Sequence, residues 1–298
     1  MLVAGLSGAN GLDVSLSNFL GIKLLHVESK LFPDGESYIR FINFEDVRGN
    51  DVVLIQSLYP NQDKRYLELL LAIDAVKDLG CRTVTVVIPY MAYSRQDRAF
   101  LLGEAVSIRT LLKVMSNLGV DNLITIDIHK EESLKYFKGG VAANLDPIPL
   151  FAEVMRNLTK DPIVVAPDQG AMNRALKLSR MIGYGDYVLF RKSRDRITGE
   201  IKHELGEVEV AGREVIIVDD IISTGTTIAN IARYLHEKHP SKIYAVCSHG
   251  LFVNNAISKL ISSGVSEIFA LNTVPLPKNV NIIDSTPLIA DALRRLTK

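Results

Sequence analysis

Val215-Ile216-Ile217-Val218-Asp219-Asp220-Ile221-Ile222-Ser223-Thr224-Gly225-Thr226-Thr227 reads as a strand, a short polar turn and the start of a helix. Its first four residues are all β-branched and show no polar alternation. That pattern belongs to a strand buried on both faces, as in a parallel sheet between helix layers. The same shape recurs outward in both directions. Apolar runs at Val52–Gln56, Val84–Pro89, Leu123–Asp127, Ile163–Pro167 and Ile243–Ser248 are bounded by turn signals. Helix-length segments lie between them. Tyr66–Leu79 carries Leu67, Leu70, Leu71, Ile73 and Val76 near a 3.6-residue period. Glu104–Leu118 carries Val106, Ile108, Leu111, Leu112 and Met115 and stops at Gly119. Strand and helix in alternation predict an α/β fold, doubly wound.

A chain of 298 residues has room for two domains. The break is expected near Gly139–Pro149, where Gly139-Gly140, Pro147, Pro149 and Asn144-Leu145-Asp146 interrupt the rhythm. This gives domains at 1–145 and 146–298. The halves echo one another: Leu123–Asp127 and Val215–Asp219 both deliver a carboxylate at a strand end. Ala92–Gly103 and Arg191–Gly206 read as exposed loops.

Composition narrows the classes further. Hydrophobic residues make up 47% and charged residues 23%, as in a globular enzyme. Lys plus Arg total 34 and Asp plus Glu total 34, so no bulk positive field invites nucleic acid or an anionic membrane surface. Cys81 and Cys247 are too few for a disulfide framework or a zinc cluster and suit a reducing cytosol. No basic leader precedes a long apolar stretch, and no apolar run reaches about 18 residues. A cytoplasmic protein, neither secreted nor membrane-spanning, is expected.

Chemistry concentrates in the opening stretch. Four of the five residues Ser223, Thr224, Gly225, Thr226 and Thr227 carry hydroxyls, and the glycine lets backbone N–H groups approach an anion. The following helix adds a favourable dipole, so the turn suits a phosphate monoester. A plain helix N-cap would use the same residue types. Asp219 and Asp220 repel phosphate but suit sugar hydroxyls or a bridging divalent cation. No Gly-Lys-Ser/Thr follows at P-loop spacing.

This segment resembles the phosphoribosyl-pyrophosphate motif shared by type I phosphoribosyltransferases and ribose-phosphate pyrophosphokinases, and does not separate the two. Other stretches do. Phe32-Pro33-Asp34-Gly35-Glu36 is a turn signature by itself. It is also similar to the loop with which the pyrophosphokinases bind adenine, a loop that reaches a neighbouring subunit's site. Arg95-Gln96-Asp97-Arg98 is a charge run after a strand and resembles the family's ATP-contacting segment. Asp127-Ile128-His129 and Pro167-Asp168-Gln169-Gly170 end two further strands; in the family the matching His and Asp bind Mg²⁺. Phe190–Arg196 packs four cations into seven residues, which alone would be a basic surface hairpin. It resembles the mobile catalytic loop, with Lys192 as catalytic lysine and Arg194 as its partner. Ser248–Phe252 resembles a further family segment.

The matches run in family order from residue 32 to about 252 and cover both halves. The chain thus resembles a ribose-phosphate pyrophosphokinase, built of two phosphoribosyltransferase-like domains. The resemblance implies that ATP gives its diphosphoryl group to D-ribose 5-phosphate, with Mg²⁺. Phe32, Asp34, Gly35, Glu36, Arg95 and Gln96 would hold ATP. Asp219 and Asp220 would hold ribose hydroxyls, Ser223–Thr227 the 5-phosphate, and His129 and Asp168 the metal. A homo-oligomer, at least a dimer, follows from the shared adenine loop. Two departures limit the transfer: Ser223 stands where common members have Asp, and Lys130–Phe137 matches poorly, so nucleotide regulation is not carried over. The rival classes are a type I phosphoribosyltransferase, which needs neither Phe32–Glu36 nor Arg95–Arg98, and a non-catalytic regulatory homologue.

Overall fold

A computed structural model describes residues 1–194, 201–205 and 209–296, with backbone alone for 191–194 and 201–205. The chain divides into two compact units. The first is Met1–Asp146 with Thr273–Pro275 and the segment from Ser285; the second is Pro147–Asn272 with Leu276–Asp284. The expected division at 145/146 differs at the far end. There an amphipathic helix buries Ile289, Ala290 and Leu293 within the first unit rather than the second.

The first unit holds β1 (Leu2–Gly5), β2 (Lys23–Leu25), β3 (Val27–Leu31), β4 (Ser37–Phe41), β5 (Asp51–Ile55), β6 (Thr83–Ile88), β7 (Asn122–Ile126) and β8 (Ala142–Leu145). Six form a sheet ordered β2-β1-β5-β6-β7-β8, parallel throughout. β3 and β4 make a separate antiparallel ribbon. The helices are α1 (Leu12–Leu20), α2 (Gln62–Asp78) and α3 (Ser107–Asn117). In α3 the expected stripe holds, with Ile108, Leu112 and Met115 buried. In α2 it rotates: Leu69, Ala72, Ile73 and Val76 face inward, while Leu67 and Leu71 are exposed. A helix apolar on more than one side does not announce which side meets the sheet.

The second unit holds α4 (Ile148–Leu158), β9 (Ile163–Ala166), α5 (Met172–Ile182), β10 (Tyr187–Arg194), β11 (Ile201–Leu205), β12 (Glu214–Ile222), α6 (Thr226–His236), β13 (Lys242–Gly250), α7 (Ala256–Ser262), β14 (Glu267–Leu271) and β15 (Asn281–Ile283). The last helix, α8 (Thr286–Leu296), packs on α1 in the first unit. The sheet runs β11-β10-β9-β12-β13-β14-β15, parallel except for the β10–β11 pair. The core packs Val215 and Ile217 of β12 with Ile231 and Leu235 of α6 and Ile243 of β13. Where a loop is expected over Arg191–Gly206, the chain is strand over 191–194 and 201–205. β10 runs on to Arg194 and pairs with β11, Lys192 facing His203. Backbone pairing in a two-stranded ribbon needs no apolar face, so the charged sequence hid the strand.

Both sheets reverse strand order once, between β1 and β5 and between β9 and β12. In open α/β sheets, ligands bind beyond the carboxyl ends of strands at such a switch point.

Candidate functional site

At the switch point of the second unit, Val165 of β9 lies level with Ile217 of β12. Two residues further, the strands release Pro167-Asp168 and Asp219-Asp220 at one edge. β10 follows β9 as far as Leu189, opposite Ala166. Its extension therefore carries the backbone of Lys192 and Arg194 past the same edge. Their side chains lie outside the described residues.

β12 does not stop at the carboxylates. It continues to Ile222, which pairs with Gly250 of β13. The turn 223–225 then hands the chain to α6. Gly225 sits at φ 67°, in the left-handed region where a side chain is disfavoured. A Cβ there would also meet Leu260 Cγ at 3.3 Å and Ala256 Cβ at 3.4 Å, so the turn is pressed onto α7. Val253 N–H donates to Ser223 O at 3.0 Å, tying the turn to the loop after β13. Gly225 is buried, whereas Thr224, Thr226 and Thr227 are exposed. Three hydroxyl residues are therefore exposed beside the first-turn N–H groups of α6, which no carbonyl of the helix can reach, an arrangement suited to an anion.

The carboxylates behind this turn are strained electrically. Asp220 is buried, 8% exposed, and its Oδ1 accepts from Ile221 N–H at 2.8 Å. Asp219 Oδ1 accepts from Asp220 N–H at 2.9 Å. Burial pushes the Asp219 carboxyl well above the usual carboxylate range, and the neighbouring Asp220 charge adds to it. Arg174 on α5 pulls the other way. Two adjacent carboxylates that resist joint ionisation suit a cation or a set of hydroxyl donors.

Asp168 is exposed, and its Oδ1 accepts from Ala171 N–H at 3.1 Å at the head of the turn leading to α5. Among the described residues, no three His, Cys, Asp or Glu side chains converge into a cage for a metal ion. A cation would then have one or two carboxylates and the oxygens of a ligand, the usual manner of Mg²⁺. The donor set fits that ion on these terms.

In the first unit, β6 and β7 are parallel neighbours, with Ile88 opposite Thr125. Arg95 and Gln96 follow one and His129 the other, so the three emerge at one sheet edge. Gln96 is occupied locally: its Nε2 donates to Arg98 O at 3.1 Å and to Glu104 Oε2 at 3.3 Å. Glu104 also accepts from the N–H groups of Phe100 and Leu101, and those bonds hold its carboxyl below the ordinary value. Arg95 is exposed. His129 is exposed beyond Asp127, whose φ of 42° turns the chain sharply at the strand end.

Phe32–Glu36 is carried on the ribbon outside the six-stranded sheet. It forms the tip of the β3–β4 ribbon, closed by bonds from Phe32 N–H to Glu36 O (2.8 Å) and from Gly35 N–H to Phe32 O (2.9 Å). Gly35 supplies a φ of 97°. Phe32 is 44% exposed, and its ring meets only the edge of Tyr38 at 5.7 Å among the described ring pairs. Asp34, Gly35 and Glu36 line a groove of about 590 Å³ with Asp63, Lys64 and Leu67 of α2. A buried network anchors the ribbon to this helix, with Ser29 Oγ donating to Glu68 Oε1 at 2.8 Å and Lys64 at 3.0 Å from the same oxygen.

Reading the sequence missed two cations. Arg174 faces Asp219, and its only sequence signal was its place six residues after Asp168. Lys259 on α7 reaches the 223–227 turn and carried no signal at all.

A family model described as the N-terminal domain of ribose phosphate pyrophosphokinase matches residues 1–119, and one described as the phosphoribosyl synthetase-associated domain matches 192–298. The ribose-phosphate pyrophosphokinase of Sulfurisphaera tokodaii is 44% identical over 292 residues, covering 97% of this chain and 99% of that protein. That of Saccharolobus solfataricus is 40% identical over 98% of this chain and all of its own length. The crystal structure of phosphoribosylpyrophosphate synthetase from Mycobacterium smegmatis superposes with a TM-score of 0.89 at 25% identity, covering 100% of this chain and 98% of that one. The expected α/β class, with two mainly parallel sheets flanked by helices, agrees with that superposition.

Proposed function

The chain belongs to the ribose-phosphate pyrophosphokinase family and is an enzyme, and on that premise we propose the reaction and the roles of its residues. ATP and D-ribose 5-phosphate react to give 5-phospho-α-D-ribose 1-diphosphate and AMP. The C1 hydroxyl oxygen bonds to the β-phosphorus of ATP. The bond from that phosphorus to the α–β bridging oxygen breaks, AMP leaves with the oxygen, and the hydroxyl proton passes to solvent water. Such a transfer needs alignment and charge stabilisation more than a covalent intermediate.

The observation that best supports the reading is the Asp219–Thr227 segment at a switch point, with hydroxyls outward, carboxylates behind and Gly225 in the left-handed region. Ser223–Thr227 takes the 5-phosphate, and Asp219 and Asp220 accept from the ribose hydroxyls. Lys192 and Arg194 arrive on the β10–β11 ribbon and meet the charge of the group in flight. Arg95 and Gln96 hold ATP phosphates; to do so, Gln96 gives up its bond to Arg98 or Glu104. Phe32 stacks on adenine, with Asp34 and Glu36 at its amino edge. Asp168 and His129 are assigned to Mg²⁺, which when bound offsets polyphosphate charge.

The test is ³¹P NMR of the protein with Mg-ATP, with and without ribose 5-phosphate. AMP and a sugar diphosphate should rise together, and only with sugar. ADP in place of AMP would mean transfer of a single phosphoryl group and would sink the proposal. Because Phe32–Glu36 resembles the family's adenine loop, which reaches a neighbouring subunit, we assign it to a neighbour's site. Sedimentation should then show a dimer or larger species, and a monomer that turns over would refute the shared site. No helix is long and apolar enough to cross a membrane among the described residues.

A further inference from the structure

Lys259 is a half-buried lysine on α7 whose Nζ donates to Thr224 O at 2.8 Å and to Thr226 Oγ1 at 3.1 Å. It forms no ion pair among the described residues, and the turn it grips, Ser223–Thr227, contains no charged residue. Among the described residues, this ammonium against a neutral turn has no anionic partner. We propose that Lys259 sets the affinity of this turn for a phosphate monoester, and so the preference for a phosphorylated sugar. The proposal rests on the reading of Ser223–Thr227 as the 5-phosphate turn.

The geometry supports two contributions. The first is orientation. Lys259 donates into Thr226 Oγ1, which lies 3.2 Å from Thr224 Oγ1. A hydroxyl has one proton and two lone pairs, so accepting from the ammonium turns the Thr226 proton away from Lys259, towards Thr224 or a ligand. The two exposed hydroxyls are thereby biased to act as donors to an anion. The second is charge. An ammonium has three N–H donors, and two are used within the turn. The third, with the full positive charge, remains for a phosphate oxygen, and such charge-assisted bonds are the stronger kind. The turn is also held in place for this: a Cβ at Gly225 would touch Ala256 and Leu260, which flank Lys259 on α7. Lys259 is therefore a positioning residue and a specificity determinant.

The experiment compares wild type with Lys259→Met and Lys259→Arg. Methionine keeps the length of the stem and loses the donor and charge; arginine keeps both. For Lys259→Met, KM for ribose 5-phosphate should rise by roughly tenfold, the size expected for one charge-assisted contact. KM for ATP and the Tm of the free protein should stay close to wild type. Lys259→Arg should recover most of the loss. KM for the sugar should climb with salt more steeply in wild type than in the methionine variant, because screening acts on the charge that the variant lacks. A methionine variant with an unchanged KM for ribose 5-phosphate would overturn the role of Lys259 and leave the turn's assignment standing. An arginine variant as impaired as methionine would equally overturn it, by showing that charge is not what matters. A wild-type protein whose Tm and turnover ignore ribose 5-phosphate would overturn the turn's assignment and this proposal with it.

Discussion

Replacing Lys192 with alanine is expected to lower kcat by roughly a thousandfold while leaving KM for ATP nearly unchanged, the pattern of a contact made only in the transition state. The expectation comes from where the chain carries this residue. β9 ends at Ala166, but β10 continues beyond it to Arg194, braced by its antiparallel partner β11. The strand pair roots the cationic segment 191–194 in the sheet while its end clears the edge from which Asp168 and Asp219 emerge. A cation delivered from a ribbon can meet a polyphosphate late, as charge spreads over the group in transfer, without contributing to ground-state binding. Steady-state kinetics with both substrates varied would separate the cases. Equal losses in kcat and kcat/KM support the role; a rise in KM for ATP with kcat intact would make Lys192 a binding residue. Unchanged turnover would remove it from the mechanism.

The strands were legible because their residues report a single physical demand. Val215–Val218 is buried on both faces, a demand that a continuous apolar run meets. The 223–227 turn was legible for a related reason, since Gly225 and the hydroxyl residues have few other uses between a buried strand and a helix. What escaped is what depends on partners far along the chain. The β10–β11 ribbon is held by backbone bonds that any side chain permits. The inward face of α2 is chosen by the sheet it meets, not by its own pattern, and it even turns Glu68 inward, where Ser7, Ser29, Gln56 and Lys64 satisfy it. Lys259 lies 33 residues from Thr226, and nothing local distinguishes it from a solvated lysine. The carboxyl-terminal helix is amphipathic and needs a partner, yet its sequence does not say which unit supplies one. Chemistry that sits within one strand and its following turn can be read in order; chemistry assembled across elements has to be seen.

Asp219→Asn should make the free protein more stable at neutral pH and nearly abolish its turnover. Burial, reinforced by the negative charge of Asp220 and opposed by Arg174, raises the Asp219 pKa above its ordinary value of 3.8. The folded chain therefore holds this proton more tightly than the unfolded chain. Stability is then full below pH 3.8, falls as pH rises from there to the folded pKa, and is constant above it. Asparagine carries no such cost at any pH. The variant should melt above wild type at pH 8, by roughly 2–4 °C for each kcal/mol relieved in a domain of this size. The two melting curves should converge towards pH 4. Turnover should fall by about a hundredfold or more, because the neutral amide loses the charge-assisted bonds that an ionised carboxylate makes to ribose hydroxyls. A carboxylate that weakens the empty fold is explained by what it holds when a ligand arrives, and strain of this kind gathers at functional sites. If the variant instead melts below wild type at pH 8, Asp219 is ionised and satisfied in the free protein, with Arg174 as the outweighing partner. If stability rises and turnover survives, the Asp219 carboxylate belongs to the architecture of the strand end and not to the reaction.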